Sequence, residues 1–207
     1  MKILVTGGLG FIGSNFILKL LERDDIEITN VDAELYGSDH RNLSQIKDSM
    51  KYNFVKGNIS NKKLMEEQIS KCDIVVNFAA ESHVDRSIND ANPFLVSNIR
   101  GAFTILDIIT KQKKRMIQIS TDEVFGSLNH GTADEQSKFN PSSPYAATKA
   151  AAELLINSYS TTFDSDVIIT RCTNNYGPRQ FVEKLIPKTI ILANKNLKIP
   201  IYGKGKN

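Results

Sequence analysis

The sequence of 207 residues is poor in the residues that mark several classes of protein. It contains two cysteines and no tryptophan. Cys72 and Cys172 stand far apart in the chain, so a disulfide framework, a CxxC redox pair and a cysteine-based metal site are all unsupported. We expect two free, partly buried thiols in a reducing compartment.

Long apolar runs and an excess of one charge are also missing. No run approaches the ~18 apolar residues of a transmembrane helix, and the amino terminus leads directly into glycines, without the apolar region of a signal peptide. The 26 basic and 23 acidic residues leave a net charge of +3, too balanced to indicate nucleic-acid or anionic-membrane binding. We expect a soluble, cytoplasmic protein.

Short β-branched runs alternate with helical patterns along the chain. Alternation of this kind builds a parallel sheet with right-handed crossovers. We therefore predict a doubly wound parallel α/β sheet of the Rossmann type. The predicted strands cover residues 3–6, 27–31, 53–56, 73–78, 115–120 and 167–171; the predicted helices cover residues 11–21, 62–70 (capped by Ser60), 93–110 and 144–159.

A glycine-rich turn joins the first predicted strand to the first helix. Gly7, Gly10 and Gly13 give the spacing GxxGxxG, in which the glycines permit a tight turn, a close approach to a pyrophosphate and close packing of helix on strand. Asp32 ends the second strand at the spacing of a ribose-binding carboxylate, which favours NAD over NADP. A plain glycine turn, with Asp32 as a strand-end turn residue, is the alternative.

A Tyr-Lys pair lies at the start of the helix over residues 144–159. Ser143 is a predicted N-cap with Pro144 at the first helical position. Tyr145 and Lys149 are four positions apart and share a helix face, so an ammonium beside the phenol should lower the pKa of Tyr145. An amphipathic helix with one solvated lysine has the same pattern. Together with the glycine turn, however, the pair resembles the extended short-chain dehydrogenase/reductases.

Thr121, Asp122 and Glu123 follow the fifth predicted strand. Ligands bind at the carboxyl ends of parallel strands, and two carboxyl groups with separated pKa values can act as acid and base. A solvated acidic loop is the alternative. Residues 120–126 nevertheless resemble the segment that marks dTDP-glucose 4,6-dehydratases, and residues 77–87, 171–187 and 200–203 agree with the same family.

The resemblance implies a reaction and a role for each residue. In this family the glucosyl C4 hydroxyl is oxidised by bound NAD, water is eliminated across C5 and C6, and the hydride returns to C6. By this resemblance Tyr145 would take the C4 hydroxyl proton with help from Lys149, and Thr121 would hydrogen-bond that oxygen. Glu123 would remove the C5 proton, and Asp122 would protonate the departing C6 hydroxyl.

The resemblance also implies two sets of binding residues. The NAD set is Gly7, Gly10, Phe11, Ile12, Gly13, Asp32, Asn58, Ile59, Ala79, Ala80, Tyr145, Lys149 and Asn175. The nucleotide-sugar set is Ser82, Thr121, Asn174, Lys184, Leu185, Pro200, Ile201 and Tyr202. Asn58 departs from the aspartate usual in the family, but it keeps an acceptor oxygen for the adenine amino group. We expect His83 to have a structural, hydrogen-bonding role rather than to transfer a proton.

Several expectations concern the organisation of the chain. Residues 1–173 are predicted to form an NAD-binding domain, and residues 174–207 the beginning of an incomplete substrate-binding region, so that this form would hold NAD better than sugar nucleotide. A homodimer through the helices at residues 93–110 and 144–159 is implied by the family. A UDP-sugar 4-epimerase and a non-catalytic dinucleotide-binding module remain as alternatives.

Overall fold

Six parallel strands form one sheet with helices on both faces. The computed structural model describes residues 1–128 and 130–201. The strand order is β3-β2-β1-β4-β5-β6, and every neighbouring pair is parallel. The strands are β1 (Lys2–Thr6), β2 (Glu27–Asp32), β3 (Tyr52–Lys56), β4 (Ile74–Asn77), β5 (Arg115–Thr121) and β6 (Val167–Cys172). The predicted doubly wound fold is confirmed.

The connections between the strands are mostly helical. The helices are α1 (Phe11–Leu20), α2 (Lys62–Ser70), α3 (Val84–Asn89), α4 (Asn92–Phe94), α5 (Ala102–Gln112), α6 (Pro144–Phe163) and α7 (Leu185–Asn194). Turns of 3-10 helix occur at His40–Ile46 and Asp122–Phe125. None of the helices in the described part of the chain is long and apolar enough to cross a membrane.

The helix predicted over residues 93–110 is not a single α-helix. A π-helical stretch, Leu95–Gly101, separates α4 from α5. Ser97, Asn98 and Gly101 within it are buried. The wider π turn adds a residue per turn and occurs often at functional sites. Here it brings polar Ser97 and Asn98 to the interior, which a period of 3.6 residues does not predict.

The predicted cap of α2 is also wrong. Asn61, and not Ser60, is the N-cap, and its Oδ1 accepts a hydrogen bond from the Leu64 amide at 3.2 Å. The Ser60 hydroxyl instead donates to Asn58 Oδ1 at 2.8 Å. Either side chain can cap a helix, so the preceding turn decided between them. The Ser143 cap of α6 is confirmed, because its Oγ accepts from the Ala146 amide at 3.1 Å.

One apolar core covers each face of the sheet. On one face, Leu4, Val75 and Met116 pack with Ile105 and Ile109 of α5 and with residues of α2 and α6. On the other face, Val5, Ile28 and Val76 pack with Ile17 of α1. These buried strands read as nearly continuous apolar runs because both faces are covered. Cys72 is buried and Cys172 half-buried, and both are free thiols as expected.

Candidate active site

A cleft lies along the carboxyl ends of the strands, where the strand order reverses between β1 and β4. Crevices at this position bind ligands in open α/β sheets. The cleft encloses a cavity of about 310 Å³. It is lined by the glycine turn, by the loops that follow β2 and β4, by the end of β5, and by Tyr145 and Lys149 of α6.

The glycine turn is built for close approach. Gly7 has φ +72°, and a Cβ placed on it would lie 2.6 Å from the Ala79 backbone. A Cβ on Gly13 would lie 2.5 Å from the Gly7 carbonyl oxygen. Side chains are therefore excluded at both positions. The helix α1 begins at Phe11 without a side-chain cap, so its first amide groups remain available to an anion at the positive end of the helix dipole.

Asp32 is buried, and its carboxylate is held by the protein. Oδ2 accepts from the Leu9 amide at 3.0 Å, and Oδ1 accepts from the Glu34 amide at 2.8 Å and the Ser38 hydroxyl at 2.9 Å. Asp32 therefore does stabilise the turn after β2, which is the structural role that the sequence left open as an alternative. A carboxylate offers about four acceptor positions, so Asp32, which lines the cleft, keeps capacity for one more donor on Oδ2.

The proposed reacting groups come together at the other end of the cleft. Thr121, Glu123, Tyr145 and Lys149 all line it. The Thr121 hydroxyl accepts from the Glu123 amide at 3.2 Å and faces Asp122 Oδ1 at 3.3 Å. Burial and the neighbouring Asp122 charge raise the pKa of the Glu123 carboxyl, against the opposing effect of Lys184. A raised pKa makes this carboxylate a stronger base near neutral pH.

The pKa of Tyr145 is raised and not lowered, so the expectation from the Tyr-Lys spacing is wrong. Burial, followed by the Glu123 charge, raises the pKa of the Tyr145 phenol, and a hydrogen bond with Thr121 opposes this only in part. The Lys149 ammonium donates instead to the Ile119 carbonyl oxygen at 2.5 Å. The i, i+4 spacing placed both residues on one face of α6, but desolvation outweighs the attraction that the spacing suggested.

Lys149 has its own pKa lowered to about 8, because burial penalises its charge more than the nearby carboxylate of Glu153 favours it. Glu153 lies one turn further along α6 and is fully buried. Glu153 is not among the site residues predicted from the sequence, although its position four residues after Lys149 places it on the same helix face.

Asn98 and Glu81 form a second feature that the sequence analysis missed. Asn98 in the π-helical stretch receives a hydrogen bond from the Glu81 amide at 2.9 Å and donates to the Glu81 carbonyl at 3.0 Å. It also donates to Thr148 Oγ1 on α6 at 3.0 Å. This network ties the loop after β4 to the helix that carries Tyr145. No pattern within a short stretch of sequence predicts hydrogen bonds between segments this far apart in the chain.

An aromatic cluster joins three loops at the rim of the cleft. His83 lies edge-on to Tyr36, with ring centroids 4.9 Å apart, and Phe181 lies 5.0 Å from Tyr36. The Arg86 guanidinium stacks 4.0 Å above the Tyr36 ring. Burial, followed by the charge of Lys184, lowers the pKa of His83. These contacts agree with a packing role for His83.

The predicted binding residues divide into two groups. Every residue of the predicted NAD set lines the cleft, as do Ser82, Thr121, Asn174 and Lys184 of the nucleotide-sugar set. Leu185, Pro200 and Ile201 are exposed and do not line it, and Tyr202 lies outside the described residues. Asp122 touches Thr121 without lining the cleft. Within the described ranges, no group of three or more His, Cys, Asp or Glu side chains is placed to hold a metal ion.

Comparison with protein families gives one match over almost the whole chain. The family described as GDP-mannose 4,6 dehydratase matches residues 4–207. The chain belongs to this family. Among curated members related to it, a low-salt glycan biosynthesis protein of Haloferax volcanii is 46% identical over 208 residues, and a dTDP-glucose 4,6-dehydratase of an Actinoplanes species is 44% identical over 214 residues. All of this chain and 67% of each relative are covered.

Solved structures of the dehydratase family and its relatives have the same fold. The dTDP-glucose 4,6-dehydratase DesIV of Streptomyces venezuelae, solved with NAD bound, matches with a TM-score of 0.96 and 41% identity, over 100% of this chain and 66% of that one. A UDP-glucuronic acid 4-epimerase of Bacillus cereus, also solved with NAD, has a TM-score of 0.93 and 28% identity, over 99% and 67%. This chain therefore spans about two thirds of the length of its relatives. The resemblance read from residues 120–126 is confirmed.

Proposed function

We propose that this protein is a hydro-lyase that binds NAD and converts dTDP-glucose to dTDP-4-keto-6-deoxyglucose. The observation that carries the proposal is the half-buried Glu123, next to Asp122 and close to Thr121 and Tyr145 at the end of β5. Oxidation and reduction at C4 need no such carboxyl pair, whereas removal of water from C5 and C6 needs a base and an acid.

The cleft fits NAD by its shape and by the hydrogen-bond donors that line it. Gly7 and Gly13 leave space that a Cβ would fill, and the amide groups at the start of α1 suit a pyrophosphate. Asp32 would accept a ribose hydroxyl, and Asn58 and Ile59 would face the adenine. Phe11, Ile12, Ala79, Ala80 and Asn175 would complete the site. Bound NAD would supply the temporary oxidation at C4 and the later reduction at C6.

The residues of the chain would carry the protons. Tyr145 would take the proton of the C4 hydroxyl while Thr121 donates a hydrogen bond to the same oxygen. Once C4 is a ketone, the C5 proton is acidified and Glu123, with its raised pKa, would remove it. Asp122 would protonate the C6 hydroxyl as it departs, and a proton would return to C5 when the hydride reaches C6. Ser82, Asn174 and Lys184 would bind the nucleotide sugar, with Lys184 as a point charge for the diphosphate.

Three of the predicted substrate residues, Leu185, Pro200 and Ile201, do not line the cleft. Their contact with the nucleotide sugar remains part of the proposal. We likewise propose residues 1–173 as the cofactor domain and residues 174–207 as part of a substrate-binding region.

The test is incubation with dTDP-glucose and NAD, with detection of the 4-keto-6-deoxy product by mass spectrometry. Asp122→Asn combined with Glu123→Gln should leave NAD binding intact and reduce product formation by at least about 10²-fold, because general acid and base catalysis are lost together. Unchanged turnover in the double variant would overturn the assigned roles. Glu135→Gln in the exposed loop before α6 is a matched acid-to-amide control.

A sugar 4-epimerase is the second candidate, supported by the structural likeness to the epimerase of Bacillus cereus. An epimerase would also use Tyr145 and Lys149 but would have no need of the Asp122-Glu123 pair. Incubation with UDP-glucuronic acid and with UDP-glucose tests it. Formation of the C4 epimer, without any 4-keto-6-deoxy sugar from dTDP-glucose, would replace the first proposal with the second.

We further propose a homodimer through the faces of α5 and α6. Phe103 on α5 and Leu154 and Phe163 on α6 are exposed although large and apolar, and the rings of Phe103 and Phe163 both pack against Tyr159. Leu95 and Val96 of the π-helical stretch are exposed as well. Exposed apolar side chains clustered in this way mark interaction surfaces. Sedimentation equilibrium should show a dimer that Leu154→Glu dissociates; a monomer at all concentrations contradicts the proposal.

A further inference from the structure

A buried ion pair joins α6 to β6 behind the proposed site of proton transfer. Glu153 Oε2 accepts two hydrogen bonds from Arg171, from Nε at 2.9 Å and from Nη2 at 2.7 Å. Glu153 is 0% exposed, and its second oxygen, Oε1, has no hydrogen-bond partner among the described residues. A buried carboxylate with one satisfied oxygen is costly, which calls for a reason beyond packing.

The carboxylate lies next to the lysine of the Tyr-Lys pair. Tyr145, Lys149 and Glu153 follow at four-residue steps and share one face of α6. Side chains of an α-helix lean toward its amino terminus, so the Glu153 side chain covers the turn that carries Lys149. The hydrogen bond of Lys149 goes to the uncharged Ile119 carbonyl, and Glu153 supplies the opposing charge.

Arg171 holds this carboxylate in place. Its guanidinium lies 5.2 Å from the ring centre of Phe125 and 5.4 Å from that of Phe139. Phe125 ends the 3-10 turn that begins with Asp122. The pair therefore connects the face of α6 that carries Tyr145 with the turn that carries the two carboxyl groups.

Titratable groups from three elements surround the site of Lys149. Glu123 after β5, Tyr145 on α6 and Cys172 on β6 line the same cleft as Lys149, and Glu153 on α6 is paired with Arg171 of β6. Burial lowers the pKa of Lys149, and Glu153 is the largest influence that raises it, with the Cys172 thiol next. Without the Glu153 charge, burial would act on Lys149 almost unopposed.

We propose that Glu153 is a positioning residue whose carboxylate, held by Arg171, keeps the Lys149 side chain charged and directed at the Ile119 carbonyl. The consequence for catalysis rests on the proposed function, but the charge state of Lys149 does not. A purely structural ion pair would stabilise α6 against β6 without setting that charge.

The first test measures Lys149 directly, in the full chain with ¹³Cε-labelled lysine followed by NMR across a pH series. Glu153→Gln keeps the shape and removes the charge, and the pKa of Lys149 should then fall from about 8 by about one unit or more. Glu67→Gln is the matched control, because Glu67 pairs with Lys71 at the same spacing on an exposed helix face. An unchanged Lys149 titration in Glu153→Gln overturns the proposal.

A second variant keeps the test decisive if Glu153→Gln fails to fold. Glu153→Asp retains the negative charge, so Lys149 should titrate within about half a unit of the unaltered chain. A fall of a full unit or more in Glu153→Asp contradicts the proposal, since the charge is then not what matters.

Turnover of dTDP-glucose provides the second readout. If Lys149 must carry its proton, activity is lost as pH rises through the pKa of Lys149. In Glu153→Gln this loss should occur about one pH unit lower or more, with kcat recovering at acid pH. An equal loss at every pH indicates a structural role alone and overturns the proposal. If the unaltered protein does not turn over dTDP-glucose, the proposed function fails while the lysine titration still decides this inference.

Discussion

Residues 1–172 and residues 173–201 differ sharply in how they are packed. The first region contains both apolar cores and every buried residue that the structure describes. No residue between 173 and 201 is buried, and α7 contributes none although it is largely apolar in sequence. Leu185 and Ile190 of α7 are 74% and 55% exposed.

The difference separates the two proposed binding functions. The NAD set lies almost entirely on strands, helix ends and turns of the packed region, where side chains are held before any ligand binds. The nucleotide-sugar set lies partly in residues 173–201, at Asn174, Lys184, Leu185, Pro200 and Ile201, where no residue is fully buried. Precise sites require support from surrounding residues. We therefore expect the cofactor site to be preorganised and the sugar site to need ordering, which costs binding free energy.

Truncating one isoleucine in each region should give the largest contrast. Ile105 on α5 is fully buried in the core, so Ile105→Ala should lower the free energy of unfolding by about 2–5 kcal/mol. The same change at Ile190 on α7 should cost at most about 0.5 kcal/mol, because little contact is lost. Urea unfolding measures both, and equal losses at the two positions would contradict the comparison.

A change in the glycine turn should have the next largest effect. Gly7 and Gly131 both have positive φ, of +72° and +81°, but a Cβ meets the Ala79 backbone only at Gly7 and nothing within 4 Å at Gly131. Both alanine variants incur the cost of the backbone conformation. Gly7→Ala should lose roughly 1–3 kcal/mol more through the clash.

The glycine variants also separate stability from cofactor binding. Gly7→Ala should weaken NAD binding by at least about tenfold, since a displaced backbone no longer meets the pyrophosphate, whereas Gly131→Ala should leave affinity unchanged. Calorimetric titration with NAD measures this. Equal NAD affinities in the two variants would exclude the glycine turn as the pyrophosphate site.

The helix caps should give the smallest difference. Ser143 caps α6 with its side chain, and Ser143→Ala should lower the free energy of unfolding by about 1 kcal/mol. Lys184 holds the same position on α7 without a side-chain hydrogen bond, and Lys184→Ala should change it by less than about 0.5 kcal/mol. A larger loss at Lys184 would show that α7 is supported in a way that the contacts do not indicate.

Much of the fold was predictable because its signals are local. The apolar runs of β1, β4 and β5, the Ser143 cap and the glycine turn each depend on a few consecutive residues. The errors arose where specific side-chain contacts decide between alternatives that the sequence pattern leaves open. The choice of Asn61 over Ser60 followed from a bond between Ser60 and Asn58, and the π-helical stretch accompanies the contacts of Asn98 with Glu81 and Thr148.

For the candidate site, the positions of the residues were predictable from the sequence, but their pKa values were not. Tyr145 and Lys149 could be placed on one helix face from their spacing, but the pKa of each depends on burial and on Glu123 and Glu153. Burial is a property of the assembled sheet and helices, so residue spacing indicates that two groups are neighbours without indicating which charge state each one prefers.

By itself, the sequence determined the parallel α/β architecture, the glycine turn before α1, the carboxylate at the end of β2 and the membership of a dehydratase family. Only the tertiary structure decided the strand order, the enclosure of Lys149, the pairing of Glu153 with Arg171 and the contrast between residues 1–172 and 173–201. The first group depends on short-range patterns. The second depends on contacts between residues far apart in the chain, whose desolvation and charge are set only when the strands and helices pack.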